Sequence, residues 1–190
     1  LGRRPDAAVH FVTGGTQANL TVIAAALRPF EGVLCADTGH INAHETGAVE
    51  ATGHKAIPLA QRDGKITAGQ VRAAVVSQRE DASHEHIVRP GMVYLSHPTE
   101  LGTLYPRAEL TAMADTCREL GVLLFIDGAR LGYGLAAEPE VDLAFLARIC
   151  DAFTIGGTKV GALFGEAVVI MNPALKKDFR FIMKQRGGRM

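Results

Sequence analysis

Short apolar runs alternate with helix-patterned segments along almost the whole chain, and no other feature limits the possible folds so strongly. Strands that read as continuous apolar runs, separated by helices, belong to a parallel sheet buried on both faces. Seven such runs are expected as strands: Val9-Thr13, Val33-Asp37, Ala56-Leu59, Met92-Ser96, Leu123-Asp127, Ala152-Ile155 and Ala167-Met171. Helices are expected between them. Gln17-Leu27 is Ala-rich, Ala68-Ser77 follows a capping Thr67, and Arg107-Leu120 ends at Gly121. Asp142-Ala147 gives another short one. The last helix has Asn172 as cap, Pro173 at its first position, and Leu175, Phe179, Ile182 and Met183 at helical spacing before Gly187-Gly188. The class is therefore α/β, a three-layer sandwich of helices about a seven-stranded, mostly parallel sheet. The polar stretch Gln78-Pro90 reads as a surface excursion.

At 190 residues the chain can bury one good core. Lys plus Arg balances Asp plus Glu at 20 each, with no long block of one sign, so nothing recommends nucleic acid or an anionic membrane as partner. Cys35, Cys117 and Cys150 are widely spaced, without zinc spacing or a disulfide framework, which favours a reducing compartment. The start leads directly towards a strand, and no apolar run approaches the roughly 20 residues of a membrane span. A cytoplasmic location is the expectation. Both ends read as abrupt, so the chain is expected to be the central part of a longer polypeptide. Residues 1–172 would form a large domain, and residues 173–190 a helix leading towards a small C-terminal domain.

Ligands of a doubly wound sheet gather outside the carboxyl ends of its strands, and each polar motif falls at such an end. After the first strand, Thr13-Gly14-Gly15-Thr16 opens a helix whose free N–H groups, dipole and Thr16 hydroxyl suit a phosphate. The alternative is a plain turn in which Thr16 caps the helix. The motif is neither a Walker sequence nor a dinucleotide fingerprint. After the second strand, His40 could stack on an aromatic ring or move a proton near neutral pH. His40 and His44 have the spacing of half a zinc site, but HINAH lacks the metalloprotease glutamate and a third ligand, so no metal is expected. Asp127 ends the apolar run of the fifth strand, where a carboxylate needs a partner: either a protonated pyridine nitrogen or Arg130. Arg130 itself suits a carboxylate or a phenolic oxygen. Thr99-Glu100-Leu101-Gly102-Thr103 adds an acidic residue and a tight turn at the same rim. Lys159 lies in a turn of small residues after the sixth strand, where partial desolvation would favour a neutral, nucleophilic amine.

In their order and approximate spacing, several of these motifs resemble the threonine aldolase family of pyridoxal-phosphate enzymes. They are Val12-Thr13-Gly14-Gly15-Thr16-Gln17-Ala18-Asn19, His40-Ile41 with Glu45-Thr46-Gly47-Ala48, Pro98-Thr99-Glu100-Leu101-Gly102-Thr103, Asp127-Gly128-Ala129-Arg130 and Gly156-Gly157-Thr158-Lys159. The family belongs to the aspartate aminotransferase-like group, also described as β-eliminating lyases. The resemblance implies a sheet whose last strand is antiparallel, and a homodimer or homotetramer with sites at subunit interfaces. It also implies residue roles. Lys159 would join covalently to pyridoxal phosphate, Asp127 would bind its pyridine nitrogen, and Gly15 with Thr16 its phosphate. His40 would stack on the ring and serve as a base, and Arg130 would meet the phenolic oxygen or the substrate carboxylate. His97 is a second candidate base, although its local spacing departs from the family pattern.

The implied reaction cleaves threonine or a related β-hydroxy-α-amino acid into glycine and an aldehyde. Another lyase or an aminotransferase on the same scaffold is the near alternative. A cofactor-free dimerisation module is the distant one.

Overall fold

The computed structural model describes residues 6–188. Residues 1–5 and 189–190, on which part of the reading of both chain ends rests, lie outside that range. All seven expected strands form: β1 (Ala8–Val12), β2 (Glu31–Ala36), β3 (Lys55–Leu59), β4 (Arg89–Ser96), β5 (Leu123–Asp127), β6 (Ala152–Gly156) and β7 (Glu166–Ile170). They make one sheet in the order β1-β7-β6-β5-β4-β2-β3. β7 runs antiparallel to both its neighbours, β1 and β6, and every other pair is parallel.

Because side chains alternate across a strand, the apolar runs divide between two cores. Leu34, Val93, Leu95, Leu124 and Ile126 face one of them, together with Val71, Val75, Leu110 and Met113. Those last four belong to α3 (Ala68–Glu80) and α4 (Arg107–Leu120). Val33, Cys35, Met92, Tyr94 and Phe125 face the other core, against Val22 and Ile23 of α1 (Gly15–Ala26). The two faces are thus covered by different helices, and β2, β4 and β5 each contribute to both. The three cysteines are buried free thiols.

Local chemistry sets the helix ends. At α3, Thr67 and Gln70 form the reciprocal capping box, and α4 stops where Gly121 takes a left-handed φ of 63°. Two short helices were not expected, α2 (His40–Ala43) and α5 (Leu131–Ala137). Their sequences, HINA and LGYGLAA, are too short or too glycine-rich to show a helical period. A further helix, α6 (Leu143–Ile149), starts as expected from Asp142, whose carboxylate accepts from the Phe145 N–H.

The expected final helix is two pieces, α7 (Pro173–Lys176) and α8 (Phe179–Gln185). Asn172 does cap the first, with Pro173 at its start. Leu175, Phe179 and Met183 are all buried in the α1-side core, and a four-residue spacing is shared by one helix and by two that bury the same face. α8 does not project from the domain; it lies on α1, where the Gln17 side chain donates to the Arg186 carbonyl at 3.4 Å.

The carboxyl ends of β5 and β6 approach so closely that only glycine fits. A Cβ on Gly128 would stand 2.1 Å from the Thr154 carbonyl oxygen, and one on Gly156 would stand 2.2 Å from that of Ala129. Gly128→Ala is therefore expected to lower the unfolding free energy by about 1–3 kcal/mol or more through overpacking. Denaturant unfolding checks this, and an unchanged midpoint would show that the two strand ends are free to part.

Candidate active site

Asp127, the last residue of β5, follows Phe125 on the α1 side of the sheet, and its carboxylate is buried to 5% exposure. Four donors meet it. Oδ2 accepts from the Tyr94 hydroxyl at 2.6 Å and from Asn19 Nδ2 at 2.8 Å; Oδ1 accepts from the Ala129 N–H at 2.8 Å and from the Thr154 hydroxyl at 3.4 Å. Arg130 is not its partner. Among the described residues no ion pair joins the two, and Arg130 instead stands at the N-cap of α5. Of the two partners expected for Asp127, the structural ion pair with Arg130 is therefore removed.

Asp127 borders a small cleft over the strand ends, with Gly15 and Asn19 from α1, His40 from α2, Glu100, Arg130 and Lys159 also in its lining. At its α1 edge the helix is capped by Gly14, which has no side chain to offer, and Thr16 is exposed. This excludes the reading in which Thr16 caps the helix. A Cβ at Gly14 or Gly15 would meet nothing within 4 Å, so there is room beside a helix start whose first N–H groups lack intrahelical acceptors.

Two acidic residues hold His40. Its Nδ1 donates to Glu45 Oε1 at 2.8 Å, and its backbone N–H donates to Glu100 Oε1 at 2.9 Å. Glu100 also accepts from the Ser96 hydroxyl. The Glu45 hydrogen bond raises the imidazole above its ordinary value of 6.5, against an opposing effect of burial. Glu45 itself is buried, at 3% exposure. The same Glu45 oxygen accepts from Asn19 Nδ2 at 2.8 Å, so one chain of contacts runs from His40 through Glu45 and Asn19 to Asp127.

Lys159 reaches the cleft from the short 3-10 turn Thr158–Val160 after β6, and the Tyr133 hydroxyl donates to its carbonyl at 2.9 Å. Its side chain is exposed, which corrects the expectation that the protein desolvates this amine: the turn carries it beyond the strand end instead of into the core. Beneath it, Glu166 accepts from the Gly157 N–H at 3.2 Å, and burial, then the Asp127 charge, push its carboxyl up to about 6.

His97 does not join the cleft. Ser96 and Pro98 line it, but the His97 ring is fully buried beside Tyr105, on the side of the other core, and burial lowers its pKa to about 4. Strand alternation explains this, since Tyr94 and Ser96 point one way and His97 the other. A base must reach the proton that it removes, and this ring has no path. His44 lies next to His40, with ring centroids 5.7 Å apart, and no group of three His, Cys, Asp or Glu side chains suited to a metal is found among the described residues.

Glu100 stands at the rim where the sequence reading places it, whereas Asn19, Tyr94 and Glu45 carry no individual role in that reading. A signal did exist for two of them. An asparagine inside an Ala-rich helix and an acid five residues after His40 are both out of place unless buried polar groups await them.

The chain belongs to the beta-eliminating lyase family, whose model matches residues 5–190. A low specificity L-threonine aldolase of Pseudomonas aeruginosa is 36% identical over 187 residues, covering 96% of this chain and 52% of that protein. The solved structure of Leishmania major threonine aldolase matches with a TM-score of 0.91 at 48% identity, over 98% of this chain and 54% of that one. Cystalysin from Treponema denticola, which contains pyridoxal 5'-phosphate, shares the fold at a TM-score of 0.70 and 14% identity, over 96% of this chain and 46% of its own. These matches agree with the resemblance to threonine aldolases. The chain spans about half the length of the relatives it matches, for example 52% of the Pseudomonas aeruginosa protein.

The Glu45 contact gives a testable pH dependence. A base whose folded value is raised contributes stability that is complete below 6.5 and is lost as pH rises through the higher folded value. Glu45→Gln is expected to bring the His40 titration down, as followed by NMR of its ring. An unmoved titration would show that Glu45 does not hold the imidazolium.

Proposed function

We propose that this chain is the cofactor-binding large domain of a pyridoxal-phosphate-dependent aldolase that cleaves threonine, or a related β-hydroxy-α-amino acid, to glycine and an aldehyde. The observation that carries the reading is convergence: Gly15, His40, Asp127 with Arg130, and Lys159, from four separate segments, line a single cleft.

The residues present fit the cofactor. Open space over Gly14 and Gly15, at a helix start with no side-chain cap, suits a phosphate, and the Thr16 hydroxyl stands beside it. Asp127 offers a fixed carboxylate to a ring nitrogen, since its four donors lock its position. Lys159 supplies a primary amine on an accessible turn, and Arg130, which has no ion-pair partner among the described residues, offers its guanidinium to the phenolic oxygen or to a substrate carboxylate. When bound, the cofactor supplies an aldehyde that condenses with amines and a cationic ring that accepts the electron pair of a breaking bond at the substrate Cα.

The rest is work for this chain's own side chains. His40 has Nδ1 committed to Glu45, which leaves Nε2 as the nitrogen that packs over the ring or takes the proton from the β-hydroxyl. Asp127 would hold the ring nitrogen in its protonated form, and Arg130 would hold the phenolic oxygen or the substrate carboxylate, the latter fixing which bond at Cα is presented for cleavage. His97 takes no part in this scheme.

In this reading residues 173–190 lead towards a small C-terminal domain, and a homodimer or homotetramer completes the sites at its interfaces. No helix among the described residues is long and apolar enough to cross a membrane, and a cytoplasmic location is the companion proposal.

The test is a visible spectrum of the full-length protein, followed by product analysis with threonine. The expected result is a band that disappears in Lys159→Ala with the fold intact, and release of glycine and acetaldehyde. 2-Oxobutanoate with ammonia, or amino transfer to a keto acid, would point to another lyase or an aminotransferase. A band that survives in Lys159→Ala would refute the assignment of the lysine.

A further inference from the structure

One buried residue in the lining of the cleft has no place in the scheme above. Asn19 lies in the second turn of α1 with 1% exposure, and both protons of its amide are used, one on Glu45 Oε1 and the other on Asp127 Oδ2, each at 2.8 Å. Its own Oδ1 is buried without a partner among the described residues, as is Glu45 Oε2. The orientation of the amide is fixed by chemistry, because the opposite flip would set its oxygen against two carboxylates.

As a piece of fold this is a poor choice. Asparagine is unfavourable inside a helix, and a buried unpaired carbonyl costs free energy that an apolar side chain would avoid. Its neighbours along the helix, Ala18, Val22 and Ile23, are buried apolar residues of the core. What the amide does achieve is to keep two buried carboxylates side by side, their accepting oxygens within about 6 Å of one another, where like charges repel strongly unless a donor or a cation lies between them.

We propose that Asn19 is a positioning residue that ties the carboxylate facing the cofactor's ring nitrogen to the carboxylate facing His40, so that ring binding and imidazole placement are set together. The inference rests on the cofactor reading above. Asn19 touches neither the reacting atoms nor the amine of Lys159 in this scheme; it acts through Asp127 and Glu45. Their own further contacts, Tyr94, Ala129 and Thr154 on the first and His40 on the second, leave the amide as the direct bridge.

The test uses Asn19→Leu and Asn19→Asp in the full-length protein, with cofactor affinity read by titration of the visible band. Losing a donor to a buried carboxylate is expected to weaken binding by about 10- to 100-fold in Asn19→Leu. Asn19→Asp keeps the size but is acceptor-only when ionised, and its neighbours Glu45 and Asp127 oppose that ionisation, with His40 and Lys159 as the nearby cations. It should bind weakly at about pH 8 and recover towards wild type at about pH 6, where a protonated carboxyl donates again.

A merely structural asparagine would show no such recovery. Affinity within twofold of wild type in both variants, or a deficit in Asn19→Asp that does not change with pH, overturns the proposal. If Asn19→Leu does not fold, the pH dependence of Asn19→Asp decides alone. A wild-type protein with no visible band would sink the cofactor reading, whereas a wild-type band with unaltered Asn19 variants sinks only this inference.

Discussion

A carboxylate at the end of a strand buried on both faces is the constraint from which the site follows. Asp127 cannot be left bare in that position, because an unsatisfied buried charge would cost more than the strand gains from its apolar neighbours. The fold answers with donors from three directions: Tyr94 from the adjacent strand, Asn19 from the helix above, and Ala129 and Thr154 from the turn and strand beside it. Fixing Asp127 thereby fixes α1 against the sheet. The helix start that would receive a phosphate and the carboxylate that would receive a ring nitrogen are held in one frame.

The second constraint is backbone proximity. Because Gly128 and Gly156 let the ends of β5 and β6 close on each other, the residues that follow them emerge at the same rim, Arg130 on one side and Lys159 on the other. The antiparallel β7 carries Glu166 in beneath that turn, and Glu166 Oε2 takes the Gly157 N–H. The catalytic lysine proposed here is thus held by its backbone while its side chain stays accessible, an arrangement suited to an amine that must exchange between partners.

Much of this could be read in the sequence, for identifiable reasons. Apolar runs such as Leu123-Leu124-Phe125-Ile126 announce strands buried on both faces, and Thr67, Asp142 and Asn172 announce helix starts, because these signals are local. The motifs at the strand ends were visible because glycines and charges interrupt those runs. What stayed hidden depends on direction and on partners distant in sequence. His97 and Ser96 are neighbours, yet only the latter faces the cleft, and a one-residue step along a strand decides it. The exposure of Lys159 depends on a 3-10 turn with no sequence period, and the link from His40 to Asp127 passes through residues 26 and 108 positions apart in the chain. The final helix broke in two because spacing alone does not distinguish one helix from two with a common buried face.

The central claim is that one amine in this cleft takes up the cofactor against the Asp127 carboxylate. Borohydride reduction of the full-length protein in the presence of pyridoxal phosphate, followed by mapping of the modified peptide, tests it most directly. The adduct is expected on Lys159. An adduct on a different lysine, or none at all, would contradict it.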